Sequence, residues 1–302
     1  MEGILIVIGG PTAIGKTDLS IELAEWLNTE IISADSRQCY REMTVGTAKP
    51  SEEELSRIPH HFINSHSITD LFTAGDFSRA ARARLAALFQ HHKVVITVGG
   101  SGLYLKAFLE GIPNIPNIDP AIREELNEEF NVDGLAPLKA RLATLDPEFM
   151  KEADTHNPQR IIRALEVTLG TGKPFSSFRS DKGDPLPHRI VSIGLDADRK
   201  WLYERIDRRV TRMVENGLFD EAAALYPYRN HYALKTVGYQ EIFDFIDGSL
   251  TREEAIQAIQ QNSRRYAKRQ LTWFRKYGNM TWFHPENKDE IHRYVTQMTG
   301  LT

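Results

Sequence analysis

The chain has 302 residues, 41% of them hydrophobic, and a formal net charge of −4. That suffices for a large core, in one big domain with an insertion or in two domains, and it excludes a globally basic surface, so any polyanion site must be a local patch. The single cysteine, Cys39, excludes a disulfide framework and a cysteine-rich zinc module and fits a reducing cytoplasm.

Residues 4–8 read as a short buried strand. Gly10-Pro11-Thr12-Ala13-Ile14-Gly15-Lys16-Thr17 follows as a complete G-x-x-x-x-G-K-[ST] motif, and residues 18–24 run out of it as an amphipathic helix. With strand and helix both in place, this is a phosphate loop. Small residues let backbone N–H groups close around phosphates, and the helix N-terminus adds partial positive charge. Lys16 would reach the terminal phosphates, and the Thr17 hydroxyl would hold Mg²⁺.

Residues 30–33 form a second strand that ends at Ala34-Asp35. Ligands of open α/β sheets bind outside the carboxyl ends of strands. Strand two is expected near strand one, so Asp35 is expected to face the phosphate loop. It has three open roles: Mg²⁺ ligand, general base or turn-former. A polar segment, 36–73, contains the adjacent His60 and His61. No ligand spacing surrounds them, so they read as loop or core residues. A helix is expected over 76–92 and a buried strand over 94–98. Gly99-Gly100-Ser101-Gly102 then admits either close approach of a ligand or backbone, or tight strand-to-helix packing. A helix follows over 103–109.

Gly111-Ile112-Pro113-Asn114-Ile115-Pro116 marks a boundary. Residues 119–170 read as helical only, 172–187 as a polar loop and 189–195 as a strand. The economical architecture is α/β: a P-loop NTPase-like parallel sheet flanked by helices, formed by 1–113 and 188–302. A helical insertion occupies 114–187. Arg205 and Arg209 share a face of the helix over 199–215. They could clamp a diphosphate or pair with Glu204, Asp207 or Glu215. Thr251 and Glu254 have capping-box spacing and start a helix to about 277. On it Arg264, Arg265, Lys268, Arg269, Thr272, Arg275 and Lys276 fall within an arc of about 140°. Ile256, Ile259, Tyr266, Ala267, Trp273, Phe274 and Tyr277 lie opposite. Six cations with no anion among them suit a phosphate backbone, or form a solvated face.

These segments together resemble the tRNA dimethylallyltransferases, also called tRNA isopentenyltransferases. The resemblance runs from Gly9 to about Arg275, on motifs in order. They are the loop at 10–17, Asp35-Ser36 with Gln38 and Tyr40, Gly46-Thr47-Ala48-Lys49-Pro50, Pro59-His60-His61 and Val98-Gly99-Gly100-Ser101-Gly102-Leu103-Tyr104. Asn157-Pro158-Gln159-Arg160-Ile161-Ile162-Arg163-Ala164-Leu165-Glu166, Val237-Gly238-Tyr239 and Lys268-Arg269-Gln270-Leu271-Thr272-Trp273 complete the set. Ser101 stands where Thr is common, Glu42 where Gly is usual and Asn64 where Asp is common, and Arg37 and Cys39 are atypical. The chain's end at Thr302 matches the shorter bacterial type, without a zinc-finger tail.

The resemblance implies transfer of a dimethylallyl group from dimethylallyl diphosphate to the exocyclic amine of the adenine on the 3′ side of the tRNA anticodon, with Mg²⁺ as cofactor. The phosphate loop would then cradle a departing diphosphate. It also implies Asp35 as general base, with Thr17 and Arg209 on the diphosphate. The implied tRNA path runs along Asp35, Ser36, Arg37, Gln38, Ser101 and Arg123, then Gln159, Arg160, Ile161, Ile162 and Arg163. It continues along Lys235, Thr236, Val237, Gly238, Tyr239 and Gln240, then Lys268, Arg269, Gln270, Leu271, Thr272, Trp273, Phe274 and Arg275. No signal segment precedes strand one, no apolar run approaches about 20 residues, and nothing suggests a symmetric interface. A cytoplasmic monomer with no membrane partner is therefore expected. Two other readings use the same residues: a P-loop kinase of a small metabolite, and a nucleotide-gated RNA-binding protein.

Overall fold

The computed structural model describes residues 3–113, 115–116, 118–152, 155–179 and 183–301. Asn114 of the expected linker, residues 153–154 of the helical run and residues 180–182 of the polar loop lie outside them. In chain order the described elements are β1 (Ile4–Gly9), α1 (Lys16–Trp26), β2 (Ile31–Ser33), α2 (Glu52–Arg57), β3 (His60–His61), α3 (Ala74–Leu88), β4 (Val94–Gly99) and α4 (Gly102–Glu110). Then come α5 (Pro120–Asp133), α6 (Leu135–Leu145), α7 (Pro147–Glu152), α8 (Pro158–Thr171) and α9 (Phe175–Arg179). The remainder is β5 (Arg189–Leu195), α10 (Arg199–Glu215), α11 (Leu218–Leu225), α12 (Gln240–Ile246), α13 (Arg252–Tyr277), β6 (Thr281–Phe283) and α14 (Lys288–Thr299).

The strands form one parallel sheet in the order β3-β2-β4-β1-β5-β6. Its central strands are continuous apolar runs because helices cover both faces. Leu5, Val7, Ile32 and Val95 enter one core, and Ile6, Ile8, Ile31, Ile96 and Ile193 enter the other. Strand two does not adjoin strand one, contrary to the simplest reading of the order. β4 runs between them, paired with β1 on one edge and β2 on the other. β3 and β6, two and three residues long, were not foreseen, since neither is long enough to show a period of two. α13 begins at the expected capping box, with the Thr251 side chain and Glu254 exchanging bonds with each other's backbone N–H.

The chain divides into two compact units, residues 1–109 with 186–302, and residues 110–185. The first holds the sheet. The described residues of the second are helices and connections around Leu126, Leu138, Leu142, Phe149, Ile161, Ile162 and Leu165. Among the described residues no helix is long and apolar enough to cross a membrane.

Ile96 is fully buried in β4. Ile96→Val should cost about 1 kcal/mol and Ile96→Ala about 2–5 kcal/mol. Urea denaturation should show both as lowered midpoints, with the Ala variant the lower.

Candidate active site

The phosphate loop is shaped by backbone that few residues tolerate. Gly15 sits at φ 104°, ψ 21° as the N-cap of α1, and Ala13 at φ 64°. The Lys16 ammonium folds back to donate to the carbonyls of Gly10 (3.1 Å) and Pro11 (2.7 Å). Two arginines of α10 hold the same loop. Arg205 Nε donates to Ala13 O at 2.9 Å, while Arg209 donates to Thr12 Oγ1 at 2.7 Å and to Thr47 O at 3.4 Å. Both arginines therefore face the loop, and Asp207 pairs with Arg264 instead.

Asp35 leaves the end of β2. Its Oδ1 accepts the N–H groups of Arg37 (2.9 Å) and Gln38 (3.2 Å), which fixes the carboxylate's orientation as a turn-former would. Ser101 Oγ accepts the Ser36 N–H, and the Gln38 amide donates to the carbonyls of Thr47 and Ala48. Two cavities adjoin here. One, of about 210 Å³, contains the loop residues Gly15, Lys16 and Thr17 together with Ser33, His60 and Gly100. The other, of about 370 Å³, is lined by Ser36, Arg37, Lys235, Thr236, Val237, Gly238 and Gln240. Thr12, Ala13, Asp35, Arg209 and Tyr266 line both. Although β4 separates β1 from β2, Asp35 and the phosphate loop therefore share one cleft.

Lys16, Asp35 and Arg209 are half-buried in the cleft. Desolvation, with Arg209 as a second cause, brings Lys16 down to about 7, against a smaller opposing pull from Asp35. Desolvation likewise lowers Arg209, with Asp35 opposing. The Tyr266 hydroxyl is pushed up to about 12 by burial and then by the Asp35 charge.

A family model described as IPP transferase matches residues 38–277, which begins after the loop and Asp35. The tRNA dimethylallyltransferase of Christiangramia forsetii is 51% identical, over 98% of this chain and 98% of its own. That of Cytophaga hutchinsonii is 50% identical, over 96% of each. The chain belongs to the IPP transferase family. Membership at this coverage makes it a transferase. The full-length tRNA isopentenylpyrophosphate transferase of Bacillus halodurans shares the fold at a TM-score of 0.73 and 39% identity, over 99% of this chain and 97% of the other. A eukaryotic dimethylallyltransferase whose structure captures it acting on tRNA aligns at a TM-score of 0.79 and 24% identity, a likeness of fold, over 98% of this chain and 77% of that one.

Several residues that the family resemblance offers for a tRNA path have their side chains inside the protein. Ile161, Ile162 and Tyr239 are 0% exposed and Phe274 is 1% exposed. Helical and turn periodicity turns these residues inward while their neighbours face out. Arg123 and Arg163 both pair with the buried Glu166, and Arg123 also donates to Gln159. The cationic face of α13 is thinner than its sequence. Arg264 pairs with Asp207 and Arg275 with Asp196, both from other elements. Arg265, Lys268, Arg269 and Lys276 are exposed, with no ion pair among the described residues. The glycine turn after β4 is built for packing: a Cβ on Gly99 would lie 2.2 Å from Ala34 O, and one on Gly102 2.3 Å from the Trp273 ring. His60 and His61 belong to the edge strand β3, and His61 bonds Glu30.

Glu221 went unnoticed in the sequence. Its carboxylate accepts the N–H groups of Thr44, Val45 and Gly46 and the Tyr239 hydroxyl, at 2.6–2.9 Å. That arrangement holds the Gly46–Pro50 loop, which in turn meets Gln38 and Arg209. No local pattern marks an acid lying 175 residues from its partner. Glu42 and Asn64, both departures from the family pattern, are used locally. Glu42 accepts from Ser67 and Ile68, and Asn64, at φ 53°, accepts from Lys49.

Lys16 has a lower pKa folded, about 7, than its unreacted value of 10.5. The unfolded chain therefore binds more protons between these values, and stability of the ligand-free protein should rise as pH climbs from about 7 toward 10.5. A polyanion in the loop reverses the shift. Calorimetric titration with inorganic pyrophosphate at pH 8, in buffers of different ionisation enthalpy, should reveal proton uptake by the wild type beyond that of Lys16→Arg, whose guanidinium stays charged. Equal uptake in both would show that Lys16 is already fully protonated.

Proposed function

We propose that this chain joins the dimethylallyl group of dimethylallyl diphosphate to the exocyclic amine of the adenine on the 3′ side of a tRNA anticodon, forming isopentenyladenosine. One observation carries the reading: Asp35 and Arg209 stand on the common wall of two cavities, one formed around the phosphate loop and the other open toward residues 235–240. The curated relatives' names point the same way.

In this reading the diphosphate lies on the loop N–H groups beside Lys16 and Arg209, and the adenine enters the second cavity after leaving its stack. The amine nitrogen attacks the allylic carbon, the carbon–oxygen bond to the diphosphate breaks, and the N–H proton passes to Asp35. That amine is a weak nucleophile because its lone pair is conjugated with the ring, so removing the proton as the bond forms lowers the barrier. Charge grows on the departing oxygens, where Lys16, Arg209 and the loop N–H groups are already placed. The hydroxyls of Thr17 and Ser33 and the Asp35 carboxylate are hard oxygen donors suited to Mg²⁺. Among the described residues no group of three or more His, Cys, Asp or Glu forms an ion cage. That composition fits a cation held largely by substrate phosphates, with Thr17 as the protein ligand. Bound Mg²⁺ would add electrostatic stabilisation of the diphosphate. Lys268 and Arg269, beside the half-buried Trp273, would meet the RNA backbone, and Arg160 would serve from the helical unit. The reading includes a cytoplasmic monomer.

Dimethylallyl diphosphate labelled in its carbon chain, incubated with unmodified tRNA and no ATP, should transfer label to the tRNA. ATP consumption with phosphorylation of a small acceptor, and no label in tRNA, would replace this reading with the kinase. Asp35→Asn should slow turnover by about 10²–10⁴-fold while pyrophosphate affinity changes little; equal losses in both would move Asp35 from base to metal ligand. Lys268→Gln with Arg269→Gln should weaken tRNA binding and flatten its salt dependence, each by somewhat under one unit of log–log slope. An unaltered slope would return that face to a solvated surface.

A further inference from the structure

We propose that Gln270 positions the diphosphate cradle and does not contact tRNA, an inference that rests on the reading of the phosphate loop above. Gln270 lies on α13, between the exposed Arg269 and the half-buried Leu271, yet is only 7% exposed itself. Its Oε1 accepts the Thr12 N–H at 2.8 Å, across 258 residues of chain, and its Nε2 donates to Gly100 O at 2.9 Å. A backbone N–H can only donate and a carbonyl can only accept, so the partners themselves fix which end of the amide faces which loop. Gln270 thereby ties the loop after β1 to the turn after β4, two of the backbone segments that border the first cavity.

The surroundings are shaped to admit this side chain. A Cβ on Gly100 would lie 2.3 Å from Nε2, so a larger residue there would displace the amide. The same point is 3.8 Å from Lys16 Nζ, so Gln270 and Lys16 both approach Gly100. Thr12 is gripped twice, through its N–H by Gln270 and through its hydroxyl by Arg209. The loop's shape and the Arg209 guanidinium are therefore set together. For Gln270 to reach an RNA, both amide bonds would have to break, leaving two backbone groups of the cradle without partners, a costly exchange. Its neighbours Lys268 and Arg269 face solvent and are free to make that contact.

The test compares wild type, Gln270→Met and Gln270→Glu. Met preserves length and flexibility and removes both bonds. Glu keeps an acceptor for Thr12 and sets an anionic oxygen against Gly100 O beside the cradle. Three quantities are measured: pyrophosphate affinity by calorimetry, KM for dimethylallyl diphosphate, and the affinity and salt slope for unmodified tRNA without diphosphate. Gln270→Met should weaken pyrophosphate and raise this KM by about tenfold, and Gln270→Glu should do so more strongly, while tRNA affinity stays within about twofold and the salt slope holds. Loss of tRNA affinity with pyrophosphate binding intact, or no change in either, overturns the assignment. Should the Met variant fail to fold, Gln270→Glu carries the same comparison. A wild type that does not bind pyrophosphate overturns the reading of the loop itself, and this assignment with it.

Discussion

Three cations, Lys16, Arg205 and Arg209, and the Asp35 carboxylate line the cavity around the phosphate loop. Lys16 and Arg209 both make their hydrogen bonds to neutral oxygens. Lys16 rests on the carbonyls of Gly10 and Pro11, and Arg209 on the Thr12 hydroxyl and Thr47 carbonyl. Carbonyl dipoles hold a cation less well than an anion does. Desolvation, and then the Arg209 charge, bring Lys16 down to about 7. A polyanion bound beside the loop would offset that desolvation and repulsion.

The fold bears the cost of keeping those charges together. α10 delivers Arg205 and Arg209 four residues apart to one face of the loop. α13 closes the opposite side, with Gln270 over Gly100, Trp273 over Gly102 and the Phe274 ring 2.7 Å from where a Gly9 Cβ would stand. Each contact needs a glycine on the sheet side, because α13 packs against the backbone of the turns and not against their side chains. The same helix turns Lys268 and Arg269 outward. One face of α13 thus packs on the turns beside the cradle, and another is basic and exposed.

The loop over residues 44–50 is a second dependency. Glu221 gathers three successive N–H groups, and the buried Tyr239 hydroxyl completes its shell; burial and that carboxylate drive the hydroxyl's pKa upward. The Thr47 carbonyl then receives both Gln38 and Arg209. Motifs that are scattered in the chain, at 35–38, 46–50 and 237–239, thus act on one another through hydrogen bonds to backbone.

Periodicity and short-range chemistry made much of this legible beforehand. The strands read at 4–8, 94–98 and 189–195 are mostly apolar, the loop at 10–17 carries its own signature, and Thr251 with Glu254 announces α13. These features depend on residues a few positions apart, so the chain alone determined them. The two- and three-residue strands β3 and β6 lack enough residues for a pattern, and the place of β4 between β1 and β2 is a pairing between segments far apart in the chain. Whether Arg264 would face an RNA or Asp207, and whether Gln270 would face solvent or the phosphate loop, was left to tertiary structure. Those outcomes depend on partners up to 258 residues away, and a linear sequence does not record which distant donors and acceptors packing will bring within hydrogen-bond reach.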